Sequence, residues 1–191
     1  MRVFRIGAAL STRSRKDAFS GDGGLYASAR WHTAGHPVVY TAQSLSLAAL
    51  EILVRLKQTN DIQPLFVYSA EVPDSLILKP DSYPARWKSR LAVSRAFGDA
   101  WLEAKTTPAM LVPTIITPGE WNVLINPLHP QFSLDWIVSG PDAFTFDARL
   151  LPIKKETRSW RTSRAVYTAL PRAHRGKRRA AELLDEERGS R

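Results

Sequence analysis

The chain has 191 residues, of which 44% are hydrophobic, so it can form one globular domain with a substantial core but not two large ones. It has no cysteine, which excludes disulfides, thiolate metal sites and a cysteine nucleophile, and its four histidines form no ligand pair on a predicted helix. No stretch is apolar enough to cross a membrane, and the first residues lack the apolar segment of a signal peptide. We predict a cytoplasmic protein without a metal ion.

The net charge of +9 is distributed unevenly along the chain. Residues 152–191 contain twelve Lys or Arg and five Asp or Glu, a net charge of +7, which leaves +2 for residues 1–151. We predict a nearly neutral folded domain over residues 1–151 and a basic extension over residues 152–191 that is disordered or loosely docked. Attraction to nucleic acid, or docking on a partner protein, is therefore open for the extension only.

The first predicted elements are a strand over residues 3–6, with Arg5 between apolar neighbours, and a loop over residues 7–28. The loop is rich in Gly, Ser and Asp but lacks the spacing of a phosphate-binding loop. A second, buried strand is predicted at Val38-Val39-Tyr40, because β-branched and aromatic residues follow the turn signal Gly35-His36-Pro37.

The helix after this strand carries one acid among apolar side chains. Ser44 or Ser46 can cap it, and residues 45–54 are otherwise almost entirely apolar, which indicates burial. Glu51 therefore occupies a place where a carboxylate is costly. One explanation is an i,i+4 pair with Arg55, an interaction worth about 0.2–0.5 kcal/mol.

The other explanation is functional. Glu51 would converge with Arg30 and Tyr40 on one cleft, where its carboxylate stabilises a developing positive charge and Arg30 binds an anion. Arginine suits that role because its planar guanidinium stays ionised and binds phosphate in a bidentate way. The residues alone leave both explanations open.

The second half of the domain is predicted to contain one long helix, over residues 87–105, and strands over residues 65–72, 109–117, 122–126 and 143–150. Val93, Phe97 and Trp101 are spaced four apart in the helix and are predicted to face the core. Pro113 indicates an edge or a bulge in its strand. Because the elements do not alternate as βαβ units, the predicted class is α+β.

Several uncommon strings occur in an order and spacing that resemble a known family. The front block, residues 24–51, contains Arg30-Trp31, the run Gly-x-Pro-Val-Val-Tyr-Thr-Ala and an Ala-x-x-Glu helix. The back block, residues 112–130, contains Val-Pro-Thr and Asn-Val-Leu-Ile-Asn-Pro-Leu-His-Pro, and Phe-Asp-Ala-Arg-Leu follows at residues 146–150. Together they resemble the RES domain, the toxin component of a bacterial toxin–antitoxin pair.

The resemblance implies a fold like the diphtheria-toxin-like ADP-ribosyltransferases, in which a split, mostly antiparallel sheet with flanking helices holds NAD in a central cleft. The implied reaction is cleavage of the bond between nicotinamide and ribose, with NAD as substrate and no cofactor. The acceptor is open: water would make an NAD glycohydrolase, phosphate an NAD phosphorylase, and a protein side chain an ADP-ribosyltransferase. NAD depletion is favoured. The rival from another class is a non-catalytic binding module that acts through the basic extension.

The resemblance also implies roles for single residues. Glu51 would hold the ribose hydroxyls and stabilise the oxocarbenium-like sugar, and Arg30, with Arg5, would bind phosphate. Tyr40 would pack on the nicotinamide side, and Thr114, where the family usually has serine, would donate a hydrogen bond. For Arg5, an exposed arginine on a strand explains the sequence equally well.

Two further positions complete the candidate site. Asn126 and His129 could order the cleft, although a structural role fits them at least as well. His32 stands where the family usually has asparagine. RES toxins resemble one another in being neutralised by an Xre-type antitoxin that covers the cleft, so the expected partners are NAD and such an antitoxin, in a hetero-oligomer.

Overall fold

A computed structural model of the chain describes residues 1–56 and 64–151. Its helices are α1 (Arg15–Ala18), α2 (Gly23–Tyr26), α3 (Leu45–Leu53) and α4 (Leu91–Ala104). Its strands are β1 (Arg2–Ala8), β2 (Val39–Ala42), β3 (Leu65–Glu71), β4 (Ile77–Leu78), β5 (Ala109–Pro113), β6 (Trp121–Ile125) and β7 (Ile137–Phe144). The strands form one sheet in the order β4-β5-β6-β2-β1-β3-β7. Among the described strands, only β4 and β5 pair in parallel, so the predicted α+β class is confirmed.

The sheet opens between β1 and β2 in its middle. These strands pair at one point, Phe4 opposite Ala42, whereas β1 pairs with β3 along its whole length and β2 pairs with β6 along its whole length. Helix α3 packs over the opening through the buried side chains of Leu47 and Ala48. This opening gives space beside α3 that a continuous sheet would fill.

Three apolar clusters hold the elements in place, and the largest contains Val3, Tyr68 and Ile125. A second cluster joins α4 to β5 and β6 through Trp101, Leu102 and Met110, with Phe97 packed against it. The prediction that this side of the helix faces the core is therefore confirmed for Phe97 and Trp101, whereas Val93 is only partly buried and belongs to none of the three clusters.

Several predicted boundaries were wrong. Residues 7–28 contain α1 and α2, each a single short turn of helix that hydrophobic periodicity does not reveal. The predicted helix over residues 87–105 begins at Leu91, since turns occupy the residues before it. Strand β5 ends at Pro113 and not at residue 117, but the predicted edge is confirmed there, because β4 pairs with β5 only at Ala109 and Met110.

The last strand was also misplaced. It is β7, which begins before the predicted residues 143–150 and ends at Phe144. Gly140 and Pro141 look like a turn in the sequence, yet they lie within the strand, beside register shifts against β3. Gly140 has φ +102°, and a Cβ there would be 2.5 Å from the Tyr68 ring, so only glycine lets the strand pass at this point.

The predicted basic extension, residues 152–191, lies outside the described residues. Within the parts of the chain that are described, no helix combines the length and the apolar character that a membrane crossing requires. The prediction of a separate, dispensable extension stays a prediction.

Candidate active site

Glu51 is held by side chains from two other parts of the chain. Ser44 begins α3 by accepting a hydrogen bond from the Leu47 amide at 3.1 Å, and Glu51 lies in the last half of that helix. Its Oε1 accepts hydrogen bonds from Thr114 Oγ1 at 3.0 Å and from Asn122 Nδ2 at 2.6 Å. These donors, 63 and 71 residues away in sequence, give the carboxylate one orientation.

The alternative partner of Glu51 is not used. Although Arg55 lies one turn further on, the two side chains form no ion pair in the described structure. The carboxylate is bound instead by neutral donors, and its Oε2 has no hydrogen-bond partner among the described residues. The described structure therefore does not contain the i,i+4 ion pair with Arg55 that was one explanation of this acid.

An open cleft with a volume of about 470 Å³ lies over Glu51. Four predicted site residues line it together: Arg30, Tyr40, Glu51 and Thr114. Arg55 and Arg95 add two further guanidinium groups, and exposed apolar side chains, Val54, Leu91 and Ile115, contribute to its lining. A cleft with one acid and three arginines suits a ligand that carries phosphate groups and presents an electrophilic centre to the acid.

Thr114 donates the hydrogen bond that a serine at this position could donate. It follows β5, is almost fully buried, and donates its hydroxyl to Glu51 while accepting a hydrogen bond from the Ile116 amide at 3.1 Å. Both roles of the hydroxyl are used, so its orientation is set. The extra methyl group of threonine does not prevent the contact with the acid.

Arg30 is anchored by the turn before α4. Its Nη1 donates to the carbonyls of Trp87 at 3.3 Å and Lys88 at 3.2 Å. The next residue, Trp31, is buried and stacks on Trp87 with ring centroids 5.2 Å apart. These contacts hold the guanidinium beside the cleft and leave its other nitrogens without a hydrogen-bond partner among the described residues.

Helix α4 holds the main chain around Arg30. Arg95 Nε donates to the Ala29 carbonyl at 2.8 Å, and Asp99 accepts hydrogen bonds from the amide and the hydroxyl of Thr33 at 2.8 and 2.7 Å. The segment that carries Arg30 is thereby bound to α4 on both sides. This arrangement reduces the entropy that ligand binding would otherwise cost.

The hydroxyl of Tyr40 is committed to His32 and Trp31. His32 Nε2 lies 2.9 Å from the Ala27 carbonyl, which can only accept, so Nε2 carries the proton and Nδ1 accepts from Tyr40 Oη at 2.9 Å. The same hydroxyl accepts a hydrogen bond from the Trp31 amide at 3.2 Å. Burial lowers the pKa of His32 and raises the pKa of Tyr40, so both are neutral. Tyr40 thus offers its ring, rather than its hydroxyl, to the cleft.

Arg5 lies on the other side of Glu51. Its Nη1 donates to the Tyr40 carbonyl at 3.0 Å across the opening between β1 and β2, and it lines a small inner cavity of about 80 Å³ rather than the cleft. Burial, together with the charge of Arg55, lowers the pKa of Arg5 to about 10. Arg5 and Arg30, predicted to bind phosphate together, line two adjoining cavities that share Tyr40, Glu51, Arg55 and Asn122.

Asn126 and His129 have structural contacts. Asn126 Nδ2 donates to the Leu102 carbonyl at 3.1 Å, and its Oδ1 accepts from the Leu128 amide at 3.0 Å. His129 Nδ1 accepts from the Gln131 amide at 3.1 Å. Neither residue lines the cleft or the inner cavity.

Comparison with known proteins identifies the family that has this site. The RES domain family matches residues 2–148, a range that includes all the strands and α-helices named above. The chain belongs to the RES domain family. It is similar to the Toxin Res of Yersinia enterocolitica, with 32% identity over 154 residues that cover 78% of this chain and 99% of the relative. It is also similar to the Prs ADP-ribosylating toxin of a Sphingobium strain, with 36% identity over 122 residues, 60% of this chain and 76% of the relative.

A solved structure shows the same fold as this RES domain. The crystal structure of the M. tuberculosis MbcT-MbcA toxin-antitoxin complex aligns with a TM-score of 0.53 at 16% identity, over 71% of this chain and 79% of that chain. At this identity the likeness concerns the fold alone.

Sequence reasoning missed three side chains of this RES site: Asn122, Arg55 as a cleft residue, and Arg95. The sequence does give a signal for Asn122, because it is the one polar residue in the apolar run Trp-Asn-Val-Leu-Ile. In the structure its side chain is 8% exposed, and a buried amide needs a polar partner. Arg95 gives no such signal, since a single arginine on a helix is ordinary. Within the described residues, no cluster of three or more His, Asp or Glu side chains could hold a metal ion.

Proposed function

We propose that this RES domain is the toxin of a toxin–antitoxin pair and that it cleaves NAD at the bond between nicotinamide and ribose. The observation that carries the proposal is Glu51, held by Thr114 and Asn122 beneath a cleft lined by three arginines. Membership of the RES family and the names of the relatives support it.

The carboxylate fits the charge that develops in this reaction. Loss of neutral nicotinamide leaves an oxocarbenium-like ribose, and a preorganised anion beside it stabilises the transition state more than the ground state. Since Oε1 of Glu51 is bound by Thr114 and Asn122, Oε2 is the oxygen that would face the ribose and its hydroxyls. The hydrogen bonds hold the acid in place, so little reorganisation is needed during bond cleavage.

The arginines suit the other end of the substrate. The diphosphate of NAD carries charge that Arg30, Arg55 and Arg95 could bind, and Arg30 is already oriented by the main chain at Trp87 and Lys88. The ring of Tyr40 would form an apolar wall for the nicotinamide. Arg5 would act at long range or on a ligand that extends into the inner cavity.

Water or inorganic phosphate is the proposed acceptor, which would make the enzyme an NAD glycohydrolase or phosphorylase. The second candidate is transfer of ADP-ribose to a protein, which the name of the Sphingobium relative favours. Purified protein is incubated with NAD, with and without phosphate, and the products are separated. Free ADP-ribose indicates hydrolysis, a phosphate-dependent phosphorylated product indicates phosphorolysis, and label retained on protein indicates transfer. Intact NAD in every reaction would refute the proposal.

The proposed partner is an antitoxin of the Xre type that covers the cleft in a hetero-oligomer. The MbcT-MbcA structure is a toxin–antitoxin complex with a similar fold, and the apolar residues and arginines that line the cleft of this chain suit a partner segment with apolar and acidic side chains. Expression of this chain alone should arrest growth while cellular NAD falls. Co-expression of a neighbouring antitoxin should restore both, and action in the cytoplasm, where NAD is available, follows from this proposal.

A further inference from the structure

Asn122 contacts Glu51 more closely than any other described residue does. Its Nδ2 lies 2.6 Å from Glu51 Oε1, against 3.0 Å for the Thr114 hydroxyl. A carboxylate oxygen accepts and cannot donate when it is ionised, so the nitrogen of the amide must face Glu51 and the oxygen must point elsewhere. The orientation of Asn122 is therefore determined by the acid.

The remaining oxygen of Asn122 is buried without a partner. Asn122 Oδ1 and Arg5 Nε are the two buried side-chain polar atoms in the described residues that form no hydrogen bond. Both residues line the inner cavity, but these two atoms have almost no accessible surface, so water in the cavity cannot bond to them. A buried acceptor without a partner costs stability, so a structural role alone does not explain Asn122.

We propose that Asn122 is the positioning residue of Glu51: its amide nitrogen holds the carboxylate towards the cleft. The inference rests on the proposed function, because it assigns Asn122 a part in NAD cleavage. Asn122 acts through Glu51 and is not itself the reacting group.

The backbone explains why this residue can do so. Asn122 lies in β6, with Val112 of β5 opposite on one side and Ala42 of β2 opposite on the other. A residue fixed by two neighbouring strands cannot move away when the substrate binds, whereas a loop residue could. Glu51 is thus held against the rigid centre of the sheet.

The first test removes the hydrogen bond. Asn122→Leu keeps the approximate volume but donates nothing, and kcat for NAD cleavage should fall about 10- to 100-fold while KM changes less than about threefold. Asn126→Leu is the matched control, since Asn126 is also buried and its side chain is bonded only to main-chain groups. It should lower Tm without changing kcat of the folded enzyme. Near-native kcat in Asn122→Leu would overturn the inference.

The second test uses pH. Asn122→Asp places a second carboxylate beside Glu51, at a position where the amide nitrogen now lies 2.6 Å from Oε1. Two carboxylates this close cannot both ionise easily, so the midpoint of the acid limb of the pH–rate profile should rise by about one pH unit or more. Arg5, Arg55, Arg30, Arg95 and the neutral Tyr40 line the two cavities around the pair, and the arginines oppose this shift. A purely structural asparagine would leave the limb unmoved, and that result would contradict the inference.

The third test does not depend on activity. Asn122→Asp should lower Tm more at pH 8 than at pH 5, and adding Glu51→Gln should restore Tm because the glutamine amide can donate to the new carboxylate. Glu51→Gln should not rescue Asn126→Asp. Failure of the rescue would overturn the positioning contact. A wild-type protein that leaves NAD intact would instead refute the proposed function, while the Tm comparison would still decide the contact.

Discussion

Gly98 of α4 lies directly against the main chain of Trp31: a Cβ at Gly98 would be 1.8 Å from the Trp31 carbonyl oxygen. Glycine within a helix costs roughly 0.5–1 kcal/mol relative to alanine, so a close contact is the physical reason for it here. Together with the hydrogen bonds of Arg95 and Asp99, it brings α4 onto the segment that carries Arg30. The position of Arg30 in the cleft therefore depends on a glycine at residue 98, which lets α4 approach the neighbouring Trp31.

Replacing glycine by alanine within a helix usually stabilises it, but Gly98→Ala should destabilise this protein. We expect it to lower the free energy of unfolding by about 1–3 kcal/mol, because α4 or Trp31 must move, and to reduce NAD turnover of the folded fraction. Gly23→Ala is the control, since nothing lies within 4 Å of a Cβ there. Urea titration and an NAD assay measure both effects. A Gly98→Ala protein as stable as wild type would contradict the contact.

Glu51→Gln should abolish NAD consumption and leave the fold intact. The amide keeps the shape of the side chain but loses the charge that opposes the developing cation, so we expect a loss of at least about 100-fold in kcat. Glu71→Gln, a surface carboxylate near Arg2, is the matched control and should be fully active. Nicotinamide release and circular dichroism check the two statements. Near-native turnover of the Glu51→Gln protein would contradict the catalytic role proposed for Glu51.

Arg30→Lys should separate charge from geometry in the cleft. Lysine keeps the positive charge but loses the planar fork and the contacts with Trp87 and Lys88, so KM for NAD should rise by about tenfold. Arg149→Lys, at an exposed pair with Asp147, should change nothing. Arg30→Ala should abolish toxicity in cells and weaken the antitoxin complex. If Arg30→Ala still arrests growth as wild type does, Arg30 does not bind the substrate.

His32 and His36 should give opposite pH dependences of stability. Burial lowers the pKa of His32, so its contribution is complete above about pH 6.5 and is lost as pH falls towards the lowered pKa. Burial acts to lower the pKa of His36 too, but the Thr33 carbonyl and the Glu103 and Asp99 carboxylates together raise it. The His36 contribution is therefore complete below about pH 6.5 and is lost as pH rises through the raised pKa.

Urea titrations between pH 5 and pH 8 test this pair, with a slope of at most about 1.4 kcal/mol per pH unit from one group. His32→Asn should flatten the decline on the acid side. His36→Asn should flatten the decline on the alkaline side and so serves as the control for His32→Asn. Wild-type pH dependence in both variants would contradict the assigned tautomer and contacts.

Truncation after residue 151 should leave NAD cleavage intact. The residues that line the cleft all precede this point, and the RES match ends at residue 148. The truncated and full-length proteins are compared for Tm, NAD turnover and retention on immobilised DNA. Loss of folding or activity on truncation would place the domain boundary further along the chain, and loss of DNA retention alone would assign that binding to the extension.

Local chemistry made part of the site predictable from the sequence. Ser44 begins a helix whose apolar residues surround a single acid, and such capping and periodicity depend on residues only a few positions apart. The convergence of Arg30, Tyr40 and Glu51 was one of two explanations of this acid, and the resemblance to the RES family added Thr114. The structure brings all four to one cleft.

The tertiary structure alone decided what lies around that acid. Arg5 faces the inner cavity because β1 and β2 separate after one residue pair, and strand separation leaves no trace in local periodicity. Asn122 and Asn126 look alike in sequence, four positions apart in one predicted strand. Asn122 lies opposite Ala42 and reaches Glu51, while Asn126 lies beyond the end of β6 and bonds the main chain at Leu102. Strand register, set by contacts between distant parts of the chain, decides which asparagine meets the acid.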